Sequence, residues 1–149
     1  MKALTLHQPF ASAILLGYKK IETRSWKTNY RGMLAIHAAK GFPKYARIFT
    51  KREQKNDRLP QSIEKLSFGA IIGFVSIFDM QRVEDVRFNI SKIERTYGDY
   101  SNGRWAWILR TIIPIEPISC RGYQRLWTIP DDILDRIATV PGMNYKDSL

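Results

Sequence analysis

Three charged side chains, Lys19, Glu22 and Arg24, fall within a short stretch near the N-terminus, and their types suit work on a nucleotide. Lysine and arginine hold a phosphate or a base carbonyl, arginine with a planar fork that binds bidentately. A carboxylate accepts from an exocyclic amine or orients its cationic neighbours. The same trio also reads as a salt-bridged surface strand, worth little in stability. Phosphodiester cleavage asks for a base, a cation facing the developing charge and an acid for the leaving oxygen. Lys19, Glu22, Arg24, Tyr45 and Lys51 are the candidates for those roles, the last two only if the helix that follows Pro43 overhangs the trio. A metal-assisted version would recruit Asp79, Glu84 or Asp85, but no clustered acidic motif marks a metal site. No cofactor is indicated, and a divalent ion is expected only if the chain is a nuclease.

Residues that could grip nucleic acid surround the trio: Lys20, Trp26, Tyr30, Arg31 and Lys40, then Lys44, Arg47 and Lys55, and much later Arg104. Aromatic rings stack on unpaired bases because every base presents a π-face. Trp26 and Tyr30 flank a polar loop, which favours access. Trp105 and Trp107 share a strand face, so both face a core or both line a cleft, and the area they bury favours core for at least one. His7 and His37 sit in apolar strands, where a hydrogen-bonded core or cleft-edge histidine is favoured over a catalytic base.

The elements that must position these side chains follow from periodicity and punctuation. Met1 to Leu6 reads as a strand, Gln8-Pro9 opens a compact helix through Leu16, and Gly17 ends it. Lys20 to Ser25 alternates as a strand with Lys20, Glu22 and Arg24 on one face, and Met33 to Ala38 is an apolar strand. Gly41-Phe42-Pro43 introduces a helix to about Asn56. At about 100° per residue, Lys44, Arg47, Lys51 and Lys55 form its basic stripe, with Phe42, Tyr45, Ala46 and Phe49 opposite, as the packing side. A solvated outer face is the plain alternative for that stripe. Pro60 to Leu66 suggests a short helix or turn, Gly69 to Phe78 a buried strand, and Val83 to Tyr97 a partly helical stretch. A loop follows to Gly103, then a strand from Arg104 to Ile113 punctuated by Pro114 and Pro117. Pro130 starts a last helix whose Asp131 and Asp132 suit its positive end. The sum is an α+β domain with a curved or closed mixed sheet.

The formal charge is +10, and it is unevenly placed: residues 1–58 hold 13 Lys/Arg against 3 Asp/Glu, residues 59–149 hold 11 of each. Such a field favours polyanions, with salt-dependent affinity. At 149 residues the chain suits a single domain, 1–149. The lone Cys120 allows no internal disulfide and points to a reducing, cytoplasmic setting. The run from Ala11 to Leu16 is too short for a membrane span, and Gln8, Pro9 and Ser12 interrupt it as a signal-peptide core.

Three ordered segments carry a resemblance: Leu4 to Ser12 (LTLHQPFAS), Gly17 to Trp26 (GYKKIETRSW) and Tyr30 to Lys40 (YRGMLAIHAAK). With the later blocks Gly69 to Val75, Gly103 to Leu109 and Arg121 to Trp127, this series resembles the ASCH family over roughly residues 3–130. That leaves the C-terminal helix and tail, 131–149, outside the core motif. The resemblance implies a PUA-like mixed β-barrel with flanking helices, and a cleft for RNA or a modified nucleoside at Lys19, Glu22 and Arg24. Single-stranded or structured RNA is the implied partner, single-stranded DNA a further one, and a membrane is not. Some relatives hydrolyse an acetyl amide on cytidine with a lysine, a threonine and a glutamate. Here Lys19 matches the lysine, but Glu22 stands at the threonine position and cannot replace its hydroxyl as nucleophile or oxyanion donor. The resemblance therefore favours RNA binding, with ribonuclease ahead of amidohydrolase as the activity.

Overall fold

The computed structural model of the chain, which describes residues 1–60 and 65–143, shows why Met33 to Ala38 lacks polar alternation. This segment belongs to a strand that is buried on both faces from its third residue onward. The elements are β1 (Lys2–Leu6), α1 (Phe10–Leu15), β2 (Ile21–Arg24), β3 (Gly32–Ala38), α2 (Lys44–Lys55) and β4 (Ala70–Arg82). They continue as α3 (Val83–Val86), α4 (Lys92–Thr96), β5 (Trp105–Ser119), β6 (Leu126–Thr128) and α5 (Asp131–Ala138). One mixed sheet carries the six strands in the order β2-β5-β4-β3-β1-β6. Among them only β1 and β3 are parallel neighbours.

One face of the sheet packs Leu4, Leu34, Ile36, Val75 and Trp107 against Ala11 and Ile14 of α1. The other packs Ile71, Phe74 and Trp127 under Ile133 and Ile137 of α5. Each large side chain so buried contributes about 1.5–3 kcal/mol of transfer free energy. The sheet also curls. β2 and β6 are its opposite edges, yet Arg125, just before β6, lies 4.3 Å from the ring centre of Trp26, just after β2. Arg24 at the end of β2 likewise reaches the Thr5 carbonyl of β1 at 3.4 Å. The result is an α+β half-barrel, its gap spanned by side chains where backbone pairing stops.

Several expectations shift in extent. Pro114 and Pro117 punctuate β5 without ending it, because β2 pairs only with Trp105 to Ile108 and, among the described residues, no other strand pairs along the rest of that edge. A proline on an open edge costs no ladder hydrogen bond. β4 runs on to Arg82, and the mixed stretch after it resolves into the two short helices α3 and α4. β6, three residues long, carries no periodic signal. Gly17 has φ +84° just beyond the C-cap Leu16, the left-handed conformation that ends α1.

The expected packing side of α2 holds for Ala46 and for Phe49, whose ring lies 5.0 Å from those of Phe10 and Tyr97, but needs correction at Tyr45. The helix buries Ala46, Thr50 and Glu53, while Tyr45 is 59% exposed. A buried glutamate is tolerated there because Arg58 pairs with it at 2.8 Å. The turn expected between Pro60 and Leu66 falls largely on residues 61–64, outside the described residues, as do 144–149 of the tail.

Candidate functional site

The gap between the sheet edges holds two adjoining cavities of about 990 and 610 Å³ that share Thr5, His7 and Arg24. The larger is lined by the cations Arg24, Lys40, Arg121 and Arg125 with the rings of Trp26, Phe68 and Tyr123 and, among the described residues, by no carboxylate. The smaller takes Lys19, Glu22 and Arg24 at its floor, Tyr45 and Phe49 from α2, and Asp99 and Arg104 opposite.

Lys19 follows the turn at Gly17 and is only 1% exposed. Its Nζ donates to the carbonyls of Ile21 and Tyr97, each at 2.8 Å, and lies 3.4 Å from Glu22 Oε1. Three acceptors thus meet the three donors of an ammonium. Glu22 also accepts from the Thr23 N–H at 2.9 Å and pairs with Arg24 at 3.3 Å. The strand is held from behind by Glu94, whose carboxylate accepts from the N–H groups of Lys20 and Ile21 at 2.8–3.0 Å. Lys19 is therefore an anchor of the cavity floor, and Arg24 is the cation that faces both cavities.

His37 shows the same locking. Trp127 Nε1 donates to Thr5 Oγ1 at 3.0 Å, and the Thr5 hydroxyl donates in turn to His37 Nδ1 at 3.2 Å. His37 Nε2 then carries the proton and donates to the Cys120 carbonyl at 2.9 Å. This is a hydrogen-bonded cleft-edge histidine, and burial lowers its pKa from the ordinary 6.5 against the opposing pull of the Cys120 carbonyl. Protons bind more readily to the unfolded chain, so the stability from neutral His37 is complete above about pH 6.5 and is lost as pH falls through the lower folded value. Urea midpoints should decline on acidification below that pH, and His37→Gln should lessen the decline. An identical pH dependence in the variant would exclude His37 as its source. Burial also pushes the neighbouring Cys120 thiol up, which leaves it protonated near neutral pH.

The structure brings Lys19, Glu22, Arg24, Tyr45 and Arg104 into the smaller cavity, and Arg24, Trp26 and Lys40 into the larger. Lys20 and Arg31 are exposed outside both, and Tyr30 donates its hydroxyl to the Met33 carbonyl while packing on the core. Lys44, Arg47, Lys51 and Lys55 are exposed on α2, away from its buried side, and none lines either cavity. Trp107 is fully buried and meets Trp26 edge to face at 4.8 Å. Trp105 is half-buried between Lys27 and Arg82. Arg121, Tyr123 and Arg125 join the site unforeseen, although two arginines around an aromatic are a signal that the sequence carries. Among the described residues no group of three His, Cys, Asp or Glu side chains could hold a metal ion, and no helix is long and apolar enough to cross a membrane.

The family model for the ASCH domain matches residues 4–119. The fold is similar to the crystal structure of an ASCH protein from Zymomonas mobilis, 17% identical, over 93% of this chain and 94% of that one, with a TM-score of 0.58. A variant of that protein with one Tyr-to-Phe change aligns over 97% of its length at 17% identity, again with 93% of this chain and a TM-score of 0.58. A Ser-to-Ala variant aligns at 18% identity over 93% of this chain and 94% of its own, with a TM-score of 0.57. No curated protein matches the sequence. β6 and α5 lie beyond the matched residues, yet β6 forms the sheet edge and α5 covers a core face. Since the match spans most of the length and the fold agrees, the chain belongs to the ASCH domain family.

Proposed function

We propose that the chain binds RNA with unpaired bases in the larger cavity. The observation that carries this reading is a lining of four cations and three aromatic rings, Trp26, Phe68 and Tyr123, with no carboxylate among the described residues that line it. The cations suit phosphates and the rings suit bases, which is the pairing that single-stranded nucleic acid demands. Charge on a solvated face would need no aromatic partners.

Affinity for a short single-stranded RNA should fall with salt, with a log–log slope of about −0.7 per phosphate neutralised. Lys40→Glu with Arg121→Glu should flatten that slope by about 0.7 for each phosphate left without its cation. Arg47→Glu with Lys51→Glu on the exposed side of α2 should leave it close to that of the unaltered protein. Fluorescence anisotropy across a salt series measures both. The reverse ranking would move the grip to α2 and overturn the cavity reading.

The smaller cavity favours a second reading, cleavage of the bound strand. His7 and Tyr45 meet edge to face at 6.4 Å at its rim, beside Arg24 and Arg104. Those types supply proton transfer and charge stabilisation for phosphodiester cleavage. End-labelled RNA in the same titrations, with and without a divalent metal, reads this directly. Cleavage that survives both His7→Gln and Tyr45→Phe would remove the smaller cavity from the chemistry. Glu22 is engaged by Lys19, Arg24 and the Thr23 N–H, so nothing here strengthens a nucleoside amidohydrolase.

A further inference from the structure

We infer that Trp26 and Arg125 form a stacking clamp that gives the larger cavity its preference for an intact, unpaired base; the inference rests on the RNA-binding reading above. The Arg125 guanidinium lies 4.3 Å from the centre of the Trp26 ring. Trp26 is itself buttressed, because Trp107 meets it edge to face at 4.8 Å and 85°, and Trp107 Nε1 donates to the Trp26 carbonyl at 3.4 Å. The fully buried Trp107 thus fixes the indole, and the indole fixes the guanidinium. A planar guanidinium held this way offers a flat outer face, and bases stack on arginine planes as they do on aromatic rings.

Two further observations separate stacking from plain charge. Arg125 has φ +60°, a left-handed conformation that costs a residue with a side chain free energy and that glycine adopts freely. A cation needed only for its field would not require this backbone, and strained positions of this kind concentrate at binding sites. Among the described residues no carboxylate lies within ion-pair distance of Arg125, so its charge is not consumed inside the protein. The same turn repeats the arrangement once more, with Arg121 over Tyr123 at 5.0 Å and Tyr123 against Trp127 at 5.5 Å. Arg125, Trp26 and Tyr123 all line the larger cavity.

The test uses a short oligoadenylate and its abasic ribose counterpart, titrated against the full chain at several salt concentrations. The unaltered protein should bind the oligoadenylate about tenfold more tightly than the abasic strand, the scale of one stacked base. Arg125→Lys keeps the charge and removes the plane, so it should bind both strands alike, with the salt slope retained. Arg125→Gly relieves the positive φ, so its thermal midpoint should not fall, which separates loss of binding from loss of fold. Equal affinity of the unaltered protein for the two strands, or a Lys variant that still prefers the oligoadenylate, overturns the clamp while leaving RNA binding in place. Absence of salt-dependent binding to either strand would instead overturn the RNA-binding reading itself, and the clamp with it.

Discussion

Lys19→Ala should lower the free energy of unfolding by about 3–5 kcal/mol, the scale for removing one partner of a buried ion pair. The side chain sits almost wholly inside the protein, and its ammonium joins three segments: its own turn, the first residue of β2, and the Tyr97 carbonyl that follows α4. Truncation leaves two buried carbonyls without this donor and Glu22 without its fully buried cation. Arg24 offsets only part of that, since it is partly exposed and also directed to the Thr5 carbonyl. Urea unfolding of Lys19→Ala and of Lys19→Ala with Glu22→Gln distinguishes the contributions. The second variant removes the stranded carboxylate charge and should recover part of the loss, because an uncompensated buried charge costs more than a neutral amide. A single-variant loss below about 1 kcal/mol would mean that water reaches the ammonium and that Lys19 anchors nothing.

Lys19 also marks how far local spacing could be read. Its neighbourhood with Glu22 and Arg24 is set by a few residues of chain, and that much is legible in the sequence. The depth of Lys19 depends on Tyr97, 78 residues away, and the alignment of β2 depends on Glu94, 73 residues from Ile21. No periodicity encodes such partners, so a buried anchor and an exposed binding strand look alike until the chain is folded. The α2 wheel held for its exposed basic stripe and for Ala46 and Phe49, and missed at Tyr45 for a related reason. The wheel put Tyr45 inside with Ala46 and Phe49, whereas the buried side turns toward Thr50 and an Arg58-paired Glu53 and leaves Tyr45 at the cavity.

The charge count misled in a more instructive way. A balance of zero over residues 59–149 conceals a division in space, with Arg121 and Arg125 on a turn that lines the larger cavity and Asp131, Asp132 and Asp135 on α5. Two of the cavity's four cations come from the half of the chain that looked neutral. The edge-to-edge approach of β2 and β6 brings the halves together, and it follows from the curl of the sheet. The excess in residues 1–58 is real, but much of it lies on the exposed side of α2.

The turn that carries Arg121 and Arg125 should prove intolerant of a single added carbon near its centre. A Cβ on Gly122 would stand 2.5 Å from His37 Cε1 and Nδ1 and 2.6 Å from Thr5 Oγ1. Neither neighbour is free to yield. His37 is bonded at both ring nitrogens, and Thr5 is held between His37 and the Trp127 indole. Gly122→Ala must therefore break this relay or lift the turn, at a cost of about 1–3 kcal/mol for overpacking. Either route displaces the two arginines and Tyr123 from the cavity, so RNA affinity should fall even at temperatures where the variant stays folded. Making room separates the causes: in a His37→Ala background the added methyl group meets fewer atoms, and Gly122→Ala should cost measurably less there. A coupling of about 0.5 kcal/mol or more between the two substitutions would locate the seat of the turn on His37. Additive losses would show that the turn is held elsewhere, and would detach the histidine from the site it borders.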